Sequence, residues 1–340
     1  MEEKKDYRKE LFYEKKNGYD SMDAAAREAM EAYCEGYKAY LNDSRTEREA
    51  VANAIRLAER EGFVEYRAGM ELKAGDKVWF NNRGKALMLA VAGKKPLSEG
   101  VVVAAAHVDA PRLDLKQTPL YEDTELAFFK THYYGGIKKY QWTAIPLELH
   151  GVVVKKDGEV IEVVIGREKD DPQFVISDLL PHLAADQMKK TLAEGVTGEG
   201  LNILIGSAPY DDEGADRVKL AVMSILNSRY DITEEDFISA ELCAVPAFEV
   251  RDIGLDRSLI GAYGQLKAIF DVKEPEQTCV CILADKEETG SDGVSGMKSE
   301  AFEWFVGDMC KVQGADLRDC FAHSICVSAD VTAAYDPNYP

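Results

Sequence analysis

Apolar residues recur with a helical period near the start of the chain and with a strand period soon after it. Between residues 21 and 41, Ala, Met, Tyr and Leu return at helical spacing, and Asn42-Asp43-Ser44 ends the pattern. Thr46 followed by Glu49 has the spacing of a capping box, which predicts a second helix reaching about Glu61. From Lys77 the period shortens. Val78-Trp79-Phe80, Ala86 to Val91 and Val101 to Ala106 are successive apolar runs of strand length. Leu147 to Val154, a Lys155-Lys156-Asp157-Gly158 turn and Glu159 to Ile165 predict a hairpin. A helical piece is expected around Ile176 to Leu192, followed by short strands up to Ala244. The last third predicts a strand over Thr278–Ala284, an amphipathic helix over Glu300–Cys310 and a strand over Ser324–Val327.

This order predicts an α/β domain in two halves, residues 1–115 and 245–340, separated by a mainly β insertion at 116–244. No internal repeat or low-complexity segment interrupts it. Composition adds the solvent. With 46% hydrophobic and 30% charged residues, the chain reads as a water-soluble globular protein. Its 41 basic and 61 acidic residues give a net charge of −20, which argues against a nucleic-acid backbone or an anionic membrane as partner. The first residues lack the apolar segment of a signal peptide, and no apolar run approaches the ~20 residues of a membrane span. Seven cysteines at irregular spacing fit reduced thiols in a cytoplasmic protein, and Cys279, Cys281 and Cys326 lie in runs read as buried strands.

Candidate chemistry gathers where three apolar runs stop. Val101 to Ala106 leads into His107-Val108-Asp109, Cys279 to Ala284 into Asp285-Lys286-Glu287-Glu288, and Ser324 to Val327 into Ser328-Ala329-Asp330. Strands apolar on both faces belong in a mostly parallel sheet, whose ligands collect beyond the C-terminal strand ends. Each cluster alone is an ordinary capped turn or solvated loop; their conjunction points to a divalent cation of the zinc type. Residues two apart on an extended segment face the same way, so Asp109 can orient the His107 ring. Adjacent glutamates diverge, so one of Glu287 and Glu288 can bind metal while the other faces water as a general base. Amide hydrolysis is the chemistry such a site performs.

Three motifs, His107-Val108-Asp109-Ala110-Pro111, Glu287-Glu288-Thr289-Gly290-Ser291, and Ser328-Ala329-Asp330 with Pro337-Asn338-Tyr339, resemble those of one zinc aminopeptidase family. It is the family that includes aspartyl aminopeptidase and vacuolar aminopeptidase I. Tyr134-Gly135-Gly136-Ile137 is similar to that family's Gly-Gly-Ile segment, and order and spacing hold from about residue 75 onward. The resemblance implies a three-layer α/β/α zinc-peptidase domain with an inserted dimerisation domain, two divalent metal ions (zinc), and peptide substrates. It also implies a dimer-based homo-oligomer as large as a dodecamer. By position, His107 and Asp330 would share one ion, Glu288 would bind the other, Glu287 would be the general base, and Asp109 would orient His107. His132, Gly135 and Gly136 are candidates for contacting substrate.

The chain also departs from the family pattern. A metal-bridging aspartate is usual shortly after the insertion, whereas Gly261 to Ala268 contains no acid, and Asp252 and Asp256 come earlier. A last histidine ligand is usual well beyond Pro-Asn-Tyr, and this sequence stops at Pro340. The expectation is that segments after Gln265 and after Pro340 are missing from it. Lys138 to Pro146 replaces the segment found in the aspartyl-specific branch, so the resemblance does not imply a strict preference for acidic N-terminal residues; Ala333 and Asp336 replace two usual histidines. Two other readings compete: an inactive family member serving as an assembly subunit, and a metal-dependent N-acyl amino acid hydrolase. The remaining histidines, His150, His182 and His323, are read as structural.

Overall fold

The computed structural model describes residues 7–13, 15–257, 264–330 and 336–339. Two short helical turns, α1 (Tyr7–Leu11) and α2 (Gly18–Ser21), precede the long helix α3 (Ala24–Asn42) and α4 (Glu47–Arg60). The predicted capping box opens α4: the Glu49 amide donates to Thr46 Oγ1, and Glu49 Oε2 accepts the Thr46 amide. There follow β1 (Val64–Glu65), β2 (Lys77–Asn82), β3 (Ala86–Val91), β4 (Val101–His107), β5 (Arg112–Asp123) and β6 (Leu126–Tyr134). The predicted hairpin is β7 (Leu147–Val154) with β8 (Val160–Ile165), paired antiparallel. Then come β9 (Ile203–Gly206), α5 (Arg217–Tyr230), β10 (Ala240–Pro246), α6 (Gly264–Asp271), β11 (Thr278–Ala284), α7 (Ala301–Gln313), α8 (Leu317–Ala322) and β12 (Ile325–Ser328).

The strands form two six-stranded sheets. One has the order β1-β2-β3-β11-β4-β12, with β11, β4 and β12 mutually parallel; the other is antiparallel throughout, β8-β7-β10-β5-β6-β9. Alternation along the first sheet's strands feeds two cores. Val78, Met88, Val103 and Ile282 pack under α7, where Phe305 stacks on Phe80 at 5.6 Å and meets Tyr66 edge-on at 5.1 Å. Leu87, Leu89, Cys281 and Leu283 pack on the opposite face against Val51, Ala54 and Ala58 of α4 and Ile269 and Phe270 of α6. Helices therefore cover both faces, the three-layer arrangement. Each fully buried Leu or Ile contributes about 1.5–3 kcal/mol.

The two sheets meet at the first turn of α4. Its acidic residues receive buried cations from the second sheet and nearby loops: Arg112 reaches both Glu47 oxygens at 2.8 and 3.4 Å, and Lys85 reaches Glu47 at 3.0 Å. His150 on β7 is completely buried, with Nδ1 2.8 Å from Glu49 Oε1 and Nε2 3.3 Å from Glu148.

Two expectations are corrected. The stretch Ile176 to Leu192 is turns with one short 3-10 segment at Gln187–Lys189; Pro181 lacks an amide to donate, and Leu180, Leu183, Met188 and Leu192 stand 68–72% exposed with no surface to pack on. The helix of this region is instead α5, whose first amides (Val218 and Lys219) are capped by Glu122 Oε2 from distant β5 at 2.8 and 2.9 Å. Cys326 is exposed, because among the described residues nothing covers the edge strand β12. All seven cysteines are unpaired. The acid-free stretch is only partly visible: Gly261–Tyr263 lie outside the described residues, as does Ala333. Among the described residues, no helix is long and apolar enough to cross a membrane.

Candidate metal centre

Parallel pairing brings the three ligand-type clusters to one edge. Ala284 of β11 pairs with His107 of β4, and Ser328 of β12 pairs with Ala105, so all three strands end within a residue or two of one another. The chain leaves β11 through Lys286, whose φ of +67° is left-handed, and turns tightly at Gly290 and Ser291. That turn carries Glu287 and Glu288 back over the strand ends. One donor atom each from His107, Glu287 and Glu288 lies within 4.8 Å of the others. Asp330 Oδ1 lies 3.4 Å from His107 Nε2.

Asp109 sits beneath this group with 2% exposure. Its Oδ1 accepts the Glu287 amide at 3.1 Å, and its Oδ2 accepts the Glu288 amide at 3.2 Å and the Tyr134 hydroxyl at 2.6 Å. The Asp109 carboxylate lies 3.5 Å from His107 Nδ1, and the Asp109 carbonyl lies at 2.9 Å. The carbonyl is thus the nearer acceptor for an Nδ1–H, so in the neutral ring Nε2 carries the lone pair and faces Asp330.

The charges follow from these contacts. Burial opposes ionisation of Asp109, but the bonds from His107, Tyr134 and the two glutamate amides hold its carboxyl down at about 2. Asp109, through its side chain and its carbonyl, lifts the His107 imidazole to about 9 against the cost of burial. Burial pushes Glu288 up, with Asp109, Glu287 and Asp330 adding to the effect and His107 opposing it. Burial likewise raises the carboxyl of Asp285, fully enclosed beside Ser295.

This donor set fits zinc. Ligand atoms 2.0–2.2 Å from a tetrahedral ion stand about 3.3–3.6 Å apart, the span between His107 Nε2 and Asp330. Crowded carboxylates also gain from a shared cation.

His107, Asp109, Glu287, Glu288 and Asp330 are thus brought together as the sequence predicts. The substrate candidates scatter. His132 is exposed on β6 and stacks on Tyr133 at 5.5 Å. Gly135 backs directly onto Glu288, and Gly136 has open space where a Cβ would stand. Sequence reasoning misses Tyr134, Arg112 and Lys286: the Arg112 guanidinium lies 4.1 Å, and the Lys286 ammonium 5.1 Å, from the Tyr134 ring centroid. Pairing of Arg112 with Tyr134 across β5 and β6 is the contact that would have pointed to them.

A layered α/β sheet with imidazole and carboxylates converging at its parallel strand ends is the architecture of a metal-dependent hydrolase. The family model described as aminopeptidase I zinc metalloprotease (M18) matches residues 40–340. A Clostridium acetobutylicum protein described as "Probable M18 family aminopeptidase 1" is 47% identical over 97% of this chain and 75% of its own length. The crystal structure of an M18-family aminopeptidase from Thermotoga maritima superposes with a TM-score of 0.90 at 40% identity, covering 96% of this chain and 74% of that one. The Saccharomyces cerevisiae mApe1 dodecamer shares the fold, with a TM-score of 0.71 at 20% identity, covering 92% of this chain and 74% of that one. The chain belongs to the M18 family of zinc aminopeptidases.

Proposed function

We propose that His107, Glu288 and Asp330 hold zinc, that Glu287 is the general base, and that Asp109 orients His107 during removal of N-terminal residues from peptides. The observation that carries this is the convergence of His107, Glu287 and Glu288 donor atoms within 4.8 Å at adjacent parallel strand ends. When bound, zinc acts as a Lewis acid toward a carbonyl and makes water more acidic. Glu287 takes the proton from the attacking water and returns it to the departing amine nitrogen. Asp109 keeps Nε2 of His107 available and fixes the turn bearing both glutamates. Of these ligands, His107 and Asp330 would share one ion and Glu288 would bind a second.

The same proposal assigns residues 1–115 and 245–340 to the metal-bearing domain and 116–244 to the insertion, supported by second-sheet strands running from Arg112 to Pro246. It places the enzyme in the cytoplasm, in keeping with seven unpaired cysteines. It takes the protein to be a dimer-based homo-oligomer, extending to the dodecamer seen for mApe1, with the exposed Leu180, Leu183, Met188 and Leu192 as apolar surface in need of cover. Sedimentation at the 37.7 kDa of a single chain would remove that part.

Zinc-loaded protein should release the first residue from peptides with a free α-amino group and leave their N-acetylated forms intact. Cleavage of the acetylated forms alone would overturn the aminopeptidase assignment of this site.

A further inference from the structure

The strand end Tyr134-Gly135 belongs to the second sheet, yet it touches the Glu287–Glu288 turn from two directions. Tyr134 donates to the Asp109 oxygen that also receives the Glu288 amide. Gly135, at φ +75°, leaves room for the Glu288 side chain: a Cβ there would stand 3.0 Å from Glu288 Oε2 and 3.1 Å from its Cβ. We infer that Tyr134 and Gly135 are positioning residues for the peptidase reaction, by which the second sheet sets the geometry of the Glu287–Glu288 turn. The inference rests on the roles proposed above for those two glutamates.

The argument turns on what fixes Asp109. Its carboxylate can rotate about two single bonds, and the Glu287 and Glu288 amides it holds belong to the very turn it is meant to place. An anchor outside that turn is needed, and Tyr134 is one. Its 2.6 Å bond to a carboxylate is short and charge-assisted. Both partners are buried, at 6% and 2% exposure, so water does not compete for it. Tyr134 is itself held, its ring within cation–π reach of both Arg112 and Lys286. Arg112 in turn is fixed by Glu47 and by Asp114 at 2.7 Å. The chain of contacts therefore runs from the first turn of α4, through the second sheet, to the carboxylates of the site. Lys286 adapts to it, since its left-handed backbone, costly for a non-glycine residue, places its ammonium near the Tyr134 ring.

A double-mutant cycle of Tyr134→Phe with Asp109→Asn tests this, because Phe keeps the ring and its cation contacts while removing the hydroxyl. The cycle is read first in metal-free protein, as hydrogen exchange at the Glu287 and Glu288 amides. It is read again in zinc-loaded protein, as kcat and KM on a free-amine peptide. Tyr134→Phe alone should accelerate exchange at both amides and lower kcat about 10- to 100-fold, with KM within about twofold. In the Asp109→Asn background the same change should add less than about twofold to either readout, because the effect passes through Asp109. Gly135→Ala, which leaves the hydroxyl bond in place, should lower kcat while the two amides stay protected. Additive effects in the cycle, or wild-type exchange and kcat in both Tyr134→Phe and Gly135→Ala, would overturn the inference. If the zinc-loaded wild type cleaves no free-amine peptide, the proposed function fails; the exchange cycle needs neither metal nor turnover and still decides the positioning role.

Discussion

Replacing His150 with Gln should destabilise the protein by an amount that shrinks as pH rises. His150 is completely enclosed, with Glu49 2.8 Å from one ring nitrogen and Glu148 3.3 Å from the other. Arg45 lies 3.1 Å from the same Glu148 oxygen, and Arg167 lies 3.8 Å from Glu49. Burial opposes protonation of the ring, but the two carboxylates outweigh it and lift the imidazole from 6.5 to about 9. A group raised on folding contributes fully below its unfolded value and loses that contribution as pH climbs to its folded value. The full contribution is about 3 kcal/mol, of which about 2.5 remains near pH 7 and less than about 0.5 near pH 9. Glutamine keeps the shape and one donor, and Arg45 and Arg167 still face the two acids, so the cost stays below the ~5 kcal/mol upper end for a broken buried pair. Urea unfolding of wild type and variant, run in steps between about pH 6 and 9.5, measures the gap. A gap that stays constant across that range, or that is absent at neutral pH, would refute the reasoning.

Further outcomes follow from the same contacts. Glu287→Gln should lower kcat about 10²- to 10⁴-fold while zinc content, read by metal analysis, stays at the wild-type level; loss of zinc in parallel would make Glu287 a ligand instead. Chelation should abolish peptide cleavage and lower the melting temperature, and excess zinc should restore both, since an ion at 100 times its Kd stabilises the folded state by about 2.7 kcal/mol. Arg112→Met should cost about 3 kcal/mol in urea unfolding by leaving Asp114 without its cation and Glu47 with Lys85 alone; an unchanged midpoint would show that the buried pair is energetically neutral.

How much of this was legible in the sequence depended on distance along the chain. The strands ending at His107 and Ala284 announced themselves because they lie inside the first sheet and their apolar runs record that, whereas β12, ending at Ser328, carries the same kind of run with all four residues exposed. The box opening α4 was legible because Thr46 and Glu49 cap within one turn. Helix α5 was missed because its cap, Glu122, comes from another strand, which leaves no local signal at its start. The expected helix around Ile176 failed for the opposite reason: the apolar residues were there, and the surface to bury them was not. Tyr134 was seen only as part of a glycine-rich segment, since its partners Asp109, Arg112 and Lys286 reach it through strand pairing and the turn after β11.

Glu49 has a consequence beyond the helix it caps. One of its oxygens accepts the Arg45 and Thr46 amides, and the other holds the His150 ring of the second sheet. Fraying of the helix start and separation of the two sheets are therefore coupled through this one side chain. The two cores of the first sheet and the core of the second should therefore lose structure together, in one calorimetric peak. Substituting Glu49 should broaden that peak, with Arg112 and Lys85 on Glu47 still joining the sheets.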